Sequence, residues 1–407
     1  MKHTRLASRI PSLVGFALLV IGFATSASAE SVKLGVLTDL SSVYADSSGN
    51  GAIYATEMAI ADLKPELEAA GMEVTVVSAD HHGKPDIGAS VARQWLERDH
   101  VDVIVNVPNS GVGLAVQALT RAQKKIFLIT AAASADLTGK QCSPYSAHWT
   151  DDTYTLAHGT AVALINQGRK SWFFLVADYA FGHAMEKAAT QVIEANGGKV
   201  LGSVRHPVGT PDMSSFLLQA QASHAQVVAL ANGGIDTVNA IKGAHEFQLA
   251  QGGQNLVGMG LFITDVHSLG LDVAQGLYLT TGFYWDRTDE SRAWSKRFFA
   301  KMNIMPTREH AETYSAVHHY LLAVLAERSK DADRVMARMK AMPVNDFYTH
   351  GGILREDGRL THQVYLAEVK TPAESKYPWD YYKIISTIEP DKAFRPMADG
   401  GCDFVAH

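Results

Sequence analysis

Residues 101–138 read VDVIVNVPNSGVGLAVQALTRAQKKIFLITAAASADLT, and this stretch decides the fold. Val101-Asp102-Val103-Ile104-Val105 is a short apolar run of strand length. Residues 113–122 carry apolar side chains at helical spacing, and Ile126-Phe127-Leu128-Ile129 is a second short run. Strand, helix and strand in succession make a unit whose strands lie parallel beneath a covering helix.

The same alternation spreads both ways. Upstream lie a strand over 32–37, a helix over 52–63 stopped by Pro65, a strand over 74–78 and a helix over 87–98. After a polar stretch near Asp151 the pattern restarts, with helices over 155–167, 184–196, 213–222 and 237–247. Strands over 171–176, 200–204 and 227–230 separate them, and a short one opens at Asn255. A strand over 277–281 leads back toward the first half, followed by helices over 292–302 and 311–326. Beyond Gly352 the spacing becomes period two, over 353–355, 363–369 and 381–388, which predicts antiparallel strands added to an edge.

The first 29 residues stand apart. Lys2, Arg5 and Arg9 precede an apolar run over 10–23, and Ala27-Ser28-Ala29 offers a cleavage site before Glu30. This reads as a secretory signal. The run is short of the roughly 20 apolar residues that span a bilayer, and no cysteine near the site suggests a lipid anchor. Cleavage leaves 378 of the 407 residues and moves the formal charge from −6 to −9, since three basic residues leave. That length exceeds a single core, so two lobes are expected. The expected division is 30–151 with 282–352, then 152–281 with 353–390, then a tail over 391–407. The acidic balance argues against nucleic acid and anionic membrane as partners. Export and an even cysteine count favour a Cys142–Cys402 disulfide.

Nothing reads as catalytic. G-x-S-x-G, a Walker A loop and H-E-x-x-H are all absent. His81-His82 and His318-His319 are adjacent pairs, whose side chains point apart. No enzyme activity, metal or cofactor is expected.

Six segments carry a resemblance. They are Lys33 to Leu40 with Tyr44, Val107 to Val116, Ile129 to Thr138, Asp178 to Gly182, Ala231 to Gly234, and Tyr314 to Val317. In order and spacing they resemble the branched-chain amino-acid type of periplasmic binding protein. The resemblance implies an α/β chain of the type I class: two doubly wound, Rossmann-like lobes joined by a three-crossover hinge and closing on a small molecule. It also implies a monomer in the periplasm that passes its cargo to the membrane permease of an ABC transporter. Ligands of open α/β sheets bind beyond the carboxyl ends of the strands, where the matching residues fall. Asn109, Ser110, Ala132 and Ser134 would clasp a carboxylate, aided by a helix N-terminus. Tyr44, Phe181 and Tyr314 would wall the pocket, with Asn232 beside them.

The departures bear on the cargo. Ile235-Asp236 stands where the family usually has a Tyr, and no Glu lies in Met259 to Asp265. A buried ammonium without a paired charge is costly. Either Asp152, Asp236 or Asp265 supplies that charge, or the ligand has no ammonium. Phe262, Phe283, Tyr284 and Trp285 add aromatic surface, and Tyr154 and Tyr179 add phenols. The expectation is a small carboxylate with an aromatic body; the alternatives are an amino acid, urea or a short amide.

Overall fold

The structure is a computed structural model that describes residues 1–2 and 30–405, so the expected leader lies outside the described residues but for its first two. The first lobe begins with β1 (Glu30–Thr38), α1 (Gly49–Asp62), α2 (Lys64–Ala69), β2 (Met72–Asp80) and α3 (Pro85–Glu97). It continues with β3 (Val103–Asn106), α4 (Ser110–Ala122), β4 (Ile126–Ile129) and β5 (Ser146–His148). These strands form one parallel sheet in the order β2-β1-β3-β4-β5. Every residue of β3 and β4 is buried, which is why both read as unbroken apolar runs.

The second lobe runs through α5 (Thr153–Asn166), β6 (Ser171–Ala177), α6 (Ala180–Ala195), β7 (Lys199–His206), α7 (Ser214–Ala222) and β8 (Val227–Gly233). Then come α8 (Ile235–Glu246), β9 (Asn255–Gly260), α9 (Ile263–Leu269), α10 (Leu271–Ala274) and β10 (Tyr278–Thr281). The chain returns to the first lobe as α11 (Asp289–Met302), α12 (Arg308–Glu327) and α13 (Ala332–Ala341). A small antiparallel sheet of β11 (Val344–Asn345), β12 (His350–Leu354) and β13 (Leu360–Thr361) follows. It crosses once more to add β14 (Val364–Val369) and β15 (Tyr382–Ile388), before α14 (Pro390–Ala393). The second sheet has the order β15-β14-β10-β9-β8-β6-β7, parallel except for its last two strands.

β11 and β13, two residues each, were not expected, and two further strands differ from expectation. β5, Ser-Ala-His, was not legible because it is three residues long and mostly polar. Ile353 was expected on the edge of the second sheet; β12 instead pairs with β11 and β13, and Ile353 faces solvent while Gly352 and Leu354 are buried. Cys142 and Cys402 are bridged, tying the tail to the first lobe. Among the described residues no helix is long and apolar enough to cross a membrane.

The chain passes between the lobes three times: from β5 to α5, from β10 to α11, and from β13 to β14. One buried acid gathers them. Asp151 accepts from the Gly282 N–H at 2.5 Å, and its other oxygen lies 3.9 Å from His362. Arg359, just before β13 and the third pass, donates to the Trp149 carbonyl at 2.8 Å on the first.

Candidate functional site

Strand order reverses beside β1 and β3 in the first sheet and beside β6 and β8 in the second. Those are the switch points at which open α/β sheets leave a crevice. The loops leaving them meet across the lobes. Asp39 shapes the loop after β1, accepting from the N–H groups of Ser42 at 2.7 Å and Tyr44 at 3.0 Å. This carries the Tyr44 hydroxyl onto that of Tyr179, which precedes α6. Burial pushes both phenols well above their ordinary range, so both are protonated donors.

At the end of β3, Asn106 and Val107 both adopt positive φ, 82° and 64°. A β-branched residue there is strained. The Asn106 side chain holds the turn, donating to Thr130 and Thr313 at 3.2 and 3.3 Å and accepting from Ser48 at 2.9 Å. The turn aims the start of α4 at the cleft. Asn109 caps that helix, accepting from Gly111 and Val112 N–H. The Ser110 hydroxyl accepts from the Ser134 N–H at 3.2 Å, which ties the loops after β3 and β4 together.

A cavity of about 10 Å3, room for one water, lies where these loops converge. The first lobe contributes Tyr44, Pro108, Ser110, Ala131, Ala133, Arg308 and Glu309; the second contributes Tyr179, Phe181, Gly233, Gly260 and Phe262. The lobes here are closed onto their own side chains, and a ligand enters only as they part.

Of the expected site residues, Tyr44, Ser110, Phe181 and Phe262 line this cavity. Asn109 and Ser134 stand behind it as caps. The Ala132 methyl packs against Gly113 in the core, and its neighbours Ala131 and Ala133 face the cleft instead. Asn232 is buried behind the end of β8, bonded to His206 and Thr237. Each of the three candidate acids turns one oxygen to a backbone N–H, while the other oxygen of Asp236 is buried without a partner. Asp152 caps α5 through the Thr155 N–H and lies 3.8 Å from Arg359. Asp236 accepts from the Gly209 N–H at 3.0 Å, and burial raises its pKa. Asp265 accepts from the Phe262 N–H at 2.9 Å, and burial pushes it up to about 8. Tyr154 stacks on His158 and lines a surface groove with Arg395 and Lys187. Tyr314 lies on another face of α12, donating to Asp62 at 2.7 Å and packing on Trp294 and Phe347. Phe283, Tyr284 and Trp285 line a second small cavity near the crossovers, which shares Phe262 and Arg308 with the first.

Two charged residues were missed. Arg308 and Glu309 open α12, which begins three residues earlier than periodicity indicated. Pro306-Thr307 was the available signal, for Thr307 caps the helix by accepting from the His310 N–H. Arg308 is buried, donates to the Leu261 carbonyl at 3.2 Å, and holds its guanidinium 4.1 Å over the Phe262 ring. Its Nε has no hydrogen-bond partner and stands 4.0 Å from Asp151. Glu309 is 3% exposed, with one carboxyl oxygen unpartnered. Burial pushes its pKa well up, Arg308 opposes this, and Glu312 adds to it. The site thus offers a cation, an acid whose burial disfavours ionisation, serine at a helix start, and four aromatic rings.

The sequence profile of the periplasmic binding protein family matches residues 31–376. A periplasmic binding protein from Burkholderia mallei is 48% identical, with 92% of this chain and 99% of that one covered and a TM-score of 0.90. A branched-chain amino acid ABC transporter periplasmic ligand-binding protein from Burkholderia xenovorans is 43% identical over the same shares, with a TM-score of 0.81. A solute-binding protein from R. palustris in complex with 4-hydroxybenzoate is 21% identical, covering 89% of this chain and 98% of that one, with a TM-score of 0.80. This last likeness bears on the fold alone.

Proposed function

The chain belongs to the periplasmic binding protein family, and from that premise we propose that it captures a small organic carboxylate with an aromatic or apolar body and delivers it to the permease of an ABC importer. The observation that carries the cargo is Arg308. A buried guanidinium that lines the same cavity as Ser110 and four aromatic rings suits a carboxylate attached to a flat apolar group. Tyr44 from the first lobe and Tyr179, Phe181 and Phe262 from the second would wall such a body once the lobes part to admit it. The departure at Ile235-Asp236 fits a ligand without an ammonium, because Asp236 is turned to Gly209.

Binding proceeds by closure. The carboxylate docks at the α4 N-terminus and Arg308, both on the first lobe, and the second lobe brings Tyr179, Phe181 and Phe262 across. Closing excludes water, which strengthens the few polar contacts.

One observation favours a second reading, an amino acid: Glu309 is an acid in the cavity lining and could pair with an ammonium once ionised. A calorimetric screen of benzoate, 4-hydroxybenzoate and leucine against the mature chain separates the two, alongside native mass spectrometry of any ligand carried through purification. Replacing the guanidinium in Arg308→Met removes a charge-assisted bond worth about 1.5–3 kcal/mol, so carboxylate affinity should fall roughly 10- to 150-fold. Unchanged affinity in that variant, with its melting transition intact, would show that the carboxylate binds elsewhere.

A further inference from the structure

We infer that Glu309 is a specificity-determining residue that works as a protonated acid, donating a hydrogen bond to the bound carboxylate and admitting the anion only while it keeps its proton. The inference rests on the carboxylate reading above and deepens it. Its basis is geometric. Glu309 lines the cavity next to Arg308 in sequence, is almost fully buried, and leaves one oxygen without a partner. A buried polar atom without a partner, on a residue that lines a ligand cavity, is an unmet bond that a ligand can complete.

The charge of the surroundings decides its form. On α12, Arg308 favours the ionised state, Glu312 opposes it, and His310 is kept neutral by burial with its pKa down at about 4. From α9, Asp265 opposes ionisation; from the loop after β1, the Ser48 hydroxyl favours it and the Tyr44 phenol faces it, as does Tyr179 at the start of α6. One cation is set against three clustered acids, and burial penalises any net charge. A ligand carboxylate arriving at Arg308 adds another negative charge. Two carboxylates at one site share a proton rather than both ionise. Ionised, Glu309 would compete for Arg308 and repel the ligand. Protonated, it donates through the oxygen that now lacks a partner.

The test is calorimetric titration of the mature chain with benzoate, whose charge is constant from pH 6 to 9. Wild-type affinity should hold at low pH and fall, by up to tenfold per pH unit, as Glu309 ionises. Glu309→Gln carries an amide that donates at every pH, so its profile should be flat and it should bind at least tenfold tighter than wild type at pH 9. Asp265→Asn, which removes a charge that opposes ionisation of Glu309, should move the fall to lower pH without flattening it. If benzoate binds and Glu309→Gln retains the same slope, or if the wild type binds equally from pH 6 to 9, the inference fails and the carboxylate reading survives. If leucine binds, benzoate does not, and Glu309→Gln abolishes leucine binding, both fail together: Glu309 then acts ionised, as an ammonium partner.

Discussion

Gly234 lies at a close contact between the lobes, and replacing it tests whether the closed form is the binding form. The Ile235 N–H donates to the Val43 carbonyl at 3.2 Å, joining the second lobe to the first. Gly234 lies beneath that carbonyl with φ 59° and ψ −138°, a region essentially restricted to glycine. A Cβ there would sit 2.0 Å from the Val43 oxygen. Gly234→Ala therefore acts twice. Backbone strain of about 1–3 kcal/mol is present whether the lobes are open or closed, and lowers stability. The clash exists only when they close. Relieving it moves the loop by about 1 Å and removes the cross-lobe hydrogen bond, worth roughly 0.5–1.5 kcal/mol, together with the packing of Tyr44 on Gly233. Affinity falls with the population of the closed form, by roughly tenfold for each 1.4 kcal/mol. The control is Gly197→Ala: φ there is also positive, 77°, but nothing lies within 4 Å of an added Cβ. Thermal melts should show both variants destabilised, and calorimetry should show weakened ligand binding in Gly234→Ala alone. Wild-type affinity in Gly234→Ala would refute a closed binding form shaped by this contact.

The structure predicts two further responses. Asp265, raised by burial to about 8, holds its proton more tightly folded than unfolded; its contribution is full below the unfolded value of 3.8 and is lost as pH rises through about 8. Asp265→Asn keeps an acceptor for the Phe262 N–H, so the drop in melting temperature between pH 6 and pH 9 should narrow, and a drop as large as wild type would count against the assignment. The Cys142–Cys402 bridge spans 260 residues, and replacing both cysteines by alanine should destabilise the chain by about 2–5 kcal/mol. Ligand affinity should persist in that variant, since neither cysteine approaches the cleft; denaturant melts and calorimetry check both halves of the statement.

How far the site was legible depended on helix starts. Ser110, Phe181 and Phe262 lie at or just before the first residues of α4, α6 and α9, and strand-to-helix boundaries are easily found from apolar runs. The same rule misled at Asp152 and Asp265. An acid just past a strand is a helix-capping residue as readily as a ligand partner, and both turn to backbone N–H groups. Tyr314 failed for another reason. It was expected in the wall only from the resemblance of the segment Tyr314 to Val317; with α12 starting at Arg308 it lies beyond the first turn, on a face that meets Trp294 and Phe347. β3, β4 and β8 were legible because full burial on both faces makes them continuous apolar runs. The hinge was not, since its partners are single residues more than 100 positions apart, as in Gly282 on Asp151 and Arg359 on Trp149.

Arg308 gives that hinge a connection to the cargo. It lines the interlobe cavity and the second cavity beside the crossovers. One N–H is held by the Leu261 carbonyl of the second lobe, and the Nε faces Asp151 without bonding to it. Asp151 in turn holds Gly282 at the second crossing and faces His362 at the third. A carboxylate that draws the guanidinium toward Ser110 weakens its pull on Asp151. Asp151 is fully buried and must then rely on the Gly282 N–H and on His362 for compensation. If the carboxylate binds as proposed, the cleft and the crossovers compete for the same cation.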